Sequence, residues 1–281
     1  MLNPFRYLTL QVEVTTACNL NCQICLRRGL GRPDKFLSLG DFKKILDSGR
    51  FRYVGLHGWG EPLLNPDLFE MVRYAEARGV STNLTANGTL IRKHLNEIFR
   101  SGLREIAFGV YDEGLFRKVL PQIEEFVAER RKRRLKRPKT YLDITIYQGN
   151  ADQIPGLVRL ASEIGIDAVI LHRLFNIYGV DPEEKCLSEA DEEELFREVR
   201  QVARATRLEL YLPPKHSWPC RIVKRSIFVT VDGKVTPCTY LPTLYLGDAL
   251  KEGVARVMRS EAYREFVKNM KQHPICSKCR W

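Results

Sequence analysis

The chain is 281 residues long, with 45 Lys and Arg against 34 Asp and Glu, a net charge of +11. Its 44% apolar and 28% charged residues are an ordinary globular composition, which excludes a disordered or fibrous chain. No apolar run reaches the ~18 residues that cross a bilayer, so no membrane association is expected.

The N-terminal stretch MLNPFRYLTLQVEV alternates apolar and polar residues and lacks the apolar core of a signal peptide. A cytoplasmic location is expected, and in that reducing compartment the eight Cys are not expected to form four disulfides. A strand over LTLQVEVTT leads into CNLNCQIC, with Cys18, Cys22 and Cys25. FRYVGLHG is a strand, NPDLFEMVRYAEARG a helix closed by Gly79, VSTNLTANG a strand and TLIRKHLNEIFRSG a helix. LREIAFGVYD is a strand. The next stretch, to Arg137, is mostly helical, with Pro121 marking a break or a new first turn. TYLDITIYQGN, DQIPGLVRLASEIG and IDAVILHR complete the series as strand, helix, strand.

Six strands joined by about five crossovers predict an α/β fold, a parallel sheet curled into an open barrel over residues 1–175. Residues 176–206 read as a linker with one helix, N-capped by Ser188 and acidic in its first turn. Residues 207–281 read as a small domain. In it SIFVTV and KVTPC flank Asp232-Gly233, a hairpin signal, and a helical stretch follows over about 249–270.

Three thiolates within eight residues cannot pair off as disulfides, and zinc normally takes four ligands. Cys18, Cys22 and Cys25 fit an iron–sulfur cluster with one iron left open for a small molecule. Cys220, Cys238, Cys276 and Cys279 form two pairs that suit one tetrahedral zinc or one fully ligated [4Fe–4S] cluster, and spacing leaves these comparable. Cys186 stands alone and reads as an incidental thiol.

CxxxCxxC directly after a strand resembles the signature of radical S-adenosylmethionine (SAM) enzymes, whose core is a partial (β/α)6 barrel. The resemblance implies a [4Fe–4S] cluster whose open iron binds SAM. Electron injection then breaks the sulfonium bond, and a 5′-deoxyadenosyl radical abstracts a hydrogen atom from substrate. HGWGEP, from His57, resembles the family's GGEP motif, whose backbone holds the SAM ammonium; Trp59 stands in place of the first Gly, and Gly60, Glu61 and Pro62 remain. By the same resemblance Ile24 packs on adenine, Asn150 touches the ribose, and His172 and Arg173 face SAM or substrate. Asn87, in an Asn-Gly turn, is either a site contact or structural. Asp112 falls where relatives carry an Asp near substrate or the SAM carboxylate, and Gly109 replaces their Ser. Cys186 would be a hydrogen-atom donor, as in radical epimerases.

C-x12-G-x4-C followed by CxxC is similar to the SPASM/twitch extension of this family, in its shorter twitch form. That form implies one auxiliary [4Fe–4S] cluster on Cys220, Cys238, Cys276 and Cys279, suited to electron transfer. The GWGEP loop, the compact tail and the closing CxxCRW ending at Trp281 resemble maturases that modify a peptide or serve tungsten or molybdenum oxidoreductases. The alternatives are a dehydrogenase or epimerase of a cyclitol or aminoglycoside, and a non-catalytic, metal-bound binding module. A reductant such as ferredoxin or flavodoxin is the implied partner.

Residues 130–139 hold eight basic side chains and no acid, against a net charge of +11 for the chain. The positive charge therefore reads as one local patch, either a solvated helix end or a dock for an acidic protein or peptide. Nucleic acid is not expected, because no nucleic-acid-binding motif and no interleaved aromatics accompany the run.

Overall fold

The structure, a computed structural model, describes residues 8–176, 178, 183 and 185–280. Trp281 and the Asp181-Pro182 start of the loop before Cys186 lie outside the described residues. Six parallel strands follow one another across the sheet: β1 (Leu8–Val12), β2 (Phe51–Gly55), β3 (Ser81–Ala86), β4 (Glu105–Val110), β5 (Lys139–Ile146) and β6 (Ala168–Arg173). Each crossover carries helices: α1 (Arg27–Leu30) and α2 (Leu39–Asp47), then α3 (Leu68–Ala77), α4 (Ile91–Ser101), α5 (Glu113–Lys132) and α6 (Ile154–Ile164). α7 (Glu189–Thr206) follows, with the Ser188 hydroxyl accepting from the Asp191 amide at 3.1 Å as its N-cap.

The sheet does not stop at six strands. β7 (Glu209–Tyr211) adds parallel to β6 at one edge. At the other, β8 (Ser226–Val229) runs parallel to β1, with Leu10 opposite Ile227. The hairpin of β8 with β9 (Lys234–Thr236), and then β10 (Gly247–Asp248), completes ten strands in the order β10-β9-β8-β1-β2-β3-β4-β5-β6-β7. Strands of the C-terminal region thus extend the barrel sheet at both edges. Val254 and Ala255, in α9 (Val254–Val257), are tied by their amides to the Ser48 hydroxyl and carbonyl after α2.

Two sequence expectations resolve differently in detail. Pro121 lies inside one continuous α5; the apolar stripe Phe116, Val119, Ile123, Phe126 and Val127 stays buried across it, and that burial outweighs one lost backbone bond. The stretch 249–270 is not one helix. Ser260 caps a new start, accepting from the Tyr263 amide at 3.2 Å, and α10 (Glu261–Asn269) follows.

β3 and β4 alternate strictly between buried and half-buried residues. On β3 and β4, Leu84, Ala86, Ile106, Phe108 and Val110 are buried against the helices, whereas Asn83, Thr85, Glu105, Ala107 and Gly109 face an interior cavity. Central parallel strands packed on both faces are apolar on both. A polar inner face marks a barrel that encloses a ligand space.

Candidate active site

The site lies at the C-terminal ends of the strands, around a cavity of about 600 Å³. Cys18, Cys22, Ile24 and Cys25 form one wall, Gly58 to Glu61 and Asn87 another, and Thr239 and Tyr240 close it from the C-terminal region.

The loop after β1 is held by a residue the motif reading passed over. Glu13 is fully buried and pairs in bidentate fashion with Arg32 at 2.6 and 2.8 Å, beyond the third cysteine. It also accepts from the Val231 amide at 3.2 Å. One carboxylate thus pins both ends of the cysteine loop and the hairpin turn. The available signal was an acid inside an apolar strand, which requires a buried partner.

Gly60 allows the second loop to press onto the first. A Cβ there would lie 2.6 Å from the Ala17 carbonyl oxygen and closer still to that of Thr15, so only glycine fits. Glu61 then binds three segments. Its amide donates to the Ala17 carbonyl at 2.8 Å, and its carboxylate accepts from Leu63 N at 3.1 Å and Asn87 N at 2.7 Å. Burial raises the Glu61 carboxyl pKa to about 7 against the lowering pull of those two amides. Pro62 is buried and opens the short turn that follows. Asn87 reaches the cysteine loop itself: its Nδ2 lies 3.8 Å from Cys18 Sγ and donates to Asn19 Oδ1 at 2.9 Å.

Four sequence candidates have other work. Asn150 is fully buried; its side-chain NH₂ donates to the Tyr111 and Thr145 carbonyls and its Oδ1 accepts from Tyr147 N. Asp112 is the N-cap of α5, accepting from Leu115 N at 2.7 Å. Arg173 follows His172 on β6 and borders the cavity, but its guanidinium is engaged with other partners. It pairs with Glu192 through two 2.7 Å contacts and donates to the carbonyls of Pro213, Pro214 and Arg280. It ties the barrel to α7 and the C-terminal tail. Cys186 donates toward the Leu174 carbonyl at 3.4 Å in a small crevice with Arg173, Leu187, Glu192 and Arg280, and does not line the main cavity.

His172 does face the cavity, and its Nε2 lies 3.3 Å from Asp143 Oδ1 on β5. Beside them sit His57 and Asn83, whose Nδ1 and Oδ1 have no hydrogen-bond partner among the described residues. Burial lowers the His57 pKa to about 4, with His172 adding to the effect, so its imidazole is neutral at pH 7. Burial raises the Asp143 carboxyl, opposed by His172. Deeper in the barrel Glu105 contacts Tyr53 and Tyr141, and burial raises its carboxyl too. These interior polar residues were not singled out by motif; alternation along β3 to β6 was their signal.

All eight Cys are free thiols. Burial and then Cys25 and Cys18 push the Cys22 thiol up to about 11, and burial also raises Cys25. In the C-terminal region Cys220, Cys238 and Cys276 pack on one small core of Val223, Leu241, Phe266 and Met270. Burial raises Cys238, reinforced by Cys220, Cys279 and Cys276. Thiols crowded in this way resist joint ionisation unless a cationic centre shares their charge. The mutual effect shows that the thiols of each group lie near one another, although among the described residues no three are gathered as a preformed metal site.

Trp59 joins the two ends of the cavity. Its Nε1 donates to the Thr239 carbonyl at 3.1 Å, its ring meets Tyr240 edge-on at 5.8 Å, and Tyr240 stacks on Phe175 at 4.1 Å.

Comparison with known proteins agrees with this geometry. Residues 12–187 match the radical SAM superfamily, and residues 220–280 match SPASM, an iron–sulfur cluster-binding domain. The chain is similar to the tungsten-containing aldehyde ferredoxin oxidoreductase cofactor-modifying protein of Pyrococcus furiosus, 24% identical over 96% of this chain and 86% of that one. It is also similar to the PqqA peptide cyclase of Gluconobacter oxydans, 27% identical over 85% and 72% of the two chains. Streptococcus suis SuiB bound to its precursor peptide SuiA shares the fold, with a TM-score of 0.79 and 17% identity over 93% of this chain and 67% of that one. Barrel, cysteine loops and family matches together place the chain in the radical SAM superfamily with a SPASM domain, its cofactors a [4Fe–4S] cluster with SAM and auxiliary iron–sulfur.

Proposed function

We propose that this enzyme modifies a peptide or matures the cofactor of a metalloenzyme of the tungsten or molybdenum oxidoreductase type. Cys18, Cys22 and Cys25 are the residues to hold the SAM-binding cluster, and Cys220, Cys238, Cys276 and Cys279 a single auxiliary one. When bound, cluster and SAM supply one-electron cleavage of SAM and a 5′-deoxyadenosyl radical that takes a hydrogen atom from substrate. Glu61 and Gly60 hold the second loop against the first, Asn87 supports Cys18, and Ile24 offers an apolar surface beside the cysteines. Trp59, Tyr240 and Phe175 exclude water from the wall between the two cysteine groups, and Asp143, His172, His57 and Asn83 orient substrate by hydrogen bonds.

The observation that carries this reading is the shared cavity. Loops bearing Cys18, Cys22, Cys25 and the Thr239-Tyr240 segment after Cys238 line one space, which supports a substrate seated beside the N-terminal cysteines and next to the segment that carries Cys238. The relative named as cofactor-modifying, matched over most of both chains, supports the maturase side, and the peptide cyclase supports the peptide side.

The test is anaerobic incubation with SAM, dithionite and deuterated candidate substrates, followed by mass spectrometry of 5′-deoxyadenosine. Deuterium transfer from a peptide or a pterin-type cofactor precursor is expected. Transfer from a cyclitol or aminoglycoside instead would establish the small-molecule alternative. Zinc without iron, and no SAM cleavage, would leave only a binding module.

A further inference from the structure

The 130–139 run is partly neutralised and is not the chain's only basic cluster. Four of its eight basic residues are held in ion pairs: Arg130 with Asp167, Lys132 and Arg133 with Glu129, and Lys139 with Glu209. The run also joins the end of α5 to the start of β5, the opposite end of the barrel from the cysteines. The eight residues of β5 put roughly 25 Å between the two ends at ~3.3 Å per residue.

Residues 207–281, by contrast, hold 14 basic and 6 acidic side chains, a net +8 of the chain's +11. The exposed members cluster on the elements that bear the C-terminal cysteines. Arg221, Lys224 and Arg225 lie on α8 (Arg221–Arg225), which starts at Cys220. Lys268 lies at the end of α10, Lys271 in the short turn that follows it, and Lys278 between Cys276 and Cys279. α8 and α10 adjoin, since the Tyr263 hydroxyl donates to the Val223 carbonyl at 3.0 Å. Among the described residues none of these six cations is held in an ion pair, whereas Lys234 is paired with Asp248 at 2.8 Å. The acids of the same face are Glu261 and Glu265. Beside Cys220 stands Trp218, 38% exposed, its ring 4.7 Å from that of His216. An exposed aromatic next to a cluster of six cations against two acids, a net positive face, suits a small, transient electron-transfer interface.

We infer that the face formed by α8, the end of α10 and the Cys276–Cys279 turn docks an acidic one-electron carrier protein, with the auxiliary cysteines as the point of electron entry. The inference rests on the iron–sulfur reading of Cys220, Cys238, Cys276 and Cys279. The exchange is a single electron: the carrier is oxidised by one and the enzyme's iron–sulfur centre is reduced by one, with no bond made or broken.

The test uses the reconstituted holoenzyme and a reduced acidic [4Fe–4S] ferredoxin as probe. Ferredoxin affinity is measured by titration at 50 and 300 mM salt, and 5′-deoxyadenosine formation is followed with ferredoxin or with dithionite. The triple variant Lys224→Glu, Lys268→Glu, Lys271→Glu is expected to bind ferredoxin about tenfold or more weakly at low salt and to lose ferredoxin-driven turnover in proportion. Its iron content and dithionite-driven SAM cleavage stay at the wild-type level, which separates failed docking from a failed family assignment. Wild-type affinity is expected to fall with salt. Unchanged affinity in the triple variant, or wild-type affinity indifferent to salt, overturns the inference. So does the same loss on reversing Arg131, Lys136 and Arg137 at the other end. Should the triple Glu variant lose iron, Lys224→Gln, Lys268→Gln, Lys271→Gln replaces it, and full ferredoxin affinity there is equally fatal.

Discussion

Trp59 Nε1 donates to the carbonyl of Thr239 at 3.1 Å across 180 residues of sequence. It links the loop packed on the N-terminal cysteines to the residue that follows Cys238. The position is one where the resemblance led to the expectation of glycine. Trp59→Ala removes that bond and an aromatic contact worth about 0.5–1.5 kcal/mol, and it opens the wall between the two cysteine groups. We expect near-normal iron content and SAM cleavage but about a tenfold loss in product formed per 5′-deoxyadenosine, because substrate alignment is what the wall supplies. Trp59→Phe should recover most of that coupling. A ratio in Trp59→Ala equal to wild type would remove Trp59 from the site.

Glu61 gives a pH signature. Its folded pKa of about 7 lies above the ordinary carboxylate value, so the folded state retains a proton that the unfolded state releases. Its contribution to stability is therefore greatest at acidic pH and declines as pH rises from about 4.5 to about 7. Glu61→Gln keeps the shape but leaves the Leu63 or Asn87 amide facing an NH₂ group, a loss of about 1–3 kcal/mol. Thermal melts between pH 5.5 and 8 should show the gap between wild type and variant narrowing as pH rises. A gap that widens would contradict the raised pKa.

Arg173 and Glu192 separate a structural role from a catalytic one. Both are at least nine-tenths buried and meet at 2.7 Å twice. Arg173→Met leaves the Glu192 carboxylate buried and uncompensated, which costs about 3–5 kcal/mol. The double variant Arg173→Met, Glu192→Leu removes both charges and should regain most of that stability by denaturant titration. A double variant no more stable than the single one would show that the backbone carbonyls of Pro213, Pro214 and Arg280 carry the effect.

Asp143 and His172 test the barrel interior. Asp143→Asn keeps the volume but removes the charge beside the His172 ring, 3.3 Å away. Hydrogen transfer from substrate into 5′-deoxyadenosine should fall about tenfold or more, while substrate-free SAM cleavage continues, since neither residue belongs to the cysteine loops. Equal loss of both activities would place Asp143 in cofactor binding instead.

The six strands and the helices from α3 to α6 were legible because each is a local pattern, period two or near 3.6, a cap, a glycine stop, whereas α1 and α2 in the first crossover were not read. CxxxCxxC was legible because its spacing is short, and the Asp232-Gly233 turn because a hairpin is local. Longer-range facts left weaker traces. Asn150, Asp112 and Arg173 each sit where a motif would place a ligand contact, yet each meets a nearer need, a backbone amide or carbonyl or a buried partner. A one-dimensional pattern gives position along a strand; it does not give the neighbours competing for the side chain.

Sequence by itself determined the chemistry this chain can hold: three plus four thiols at fixed spacing on a strand–helix repeat. Tertiary structure alone decided how those thiols relate, through β8 pairing with β1 and Trp59 reaching Thr239. It also decided which cations are neutralised and which stay exposed around the C-terminal cysteines. The physical reason is one of range. Periodicity and ligand spacing act within a few residues, whereas burial, ion pairing and cavity walls depend on which distant segments the sheet brings together.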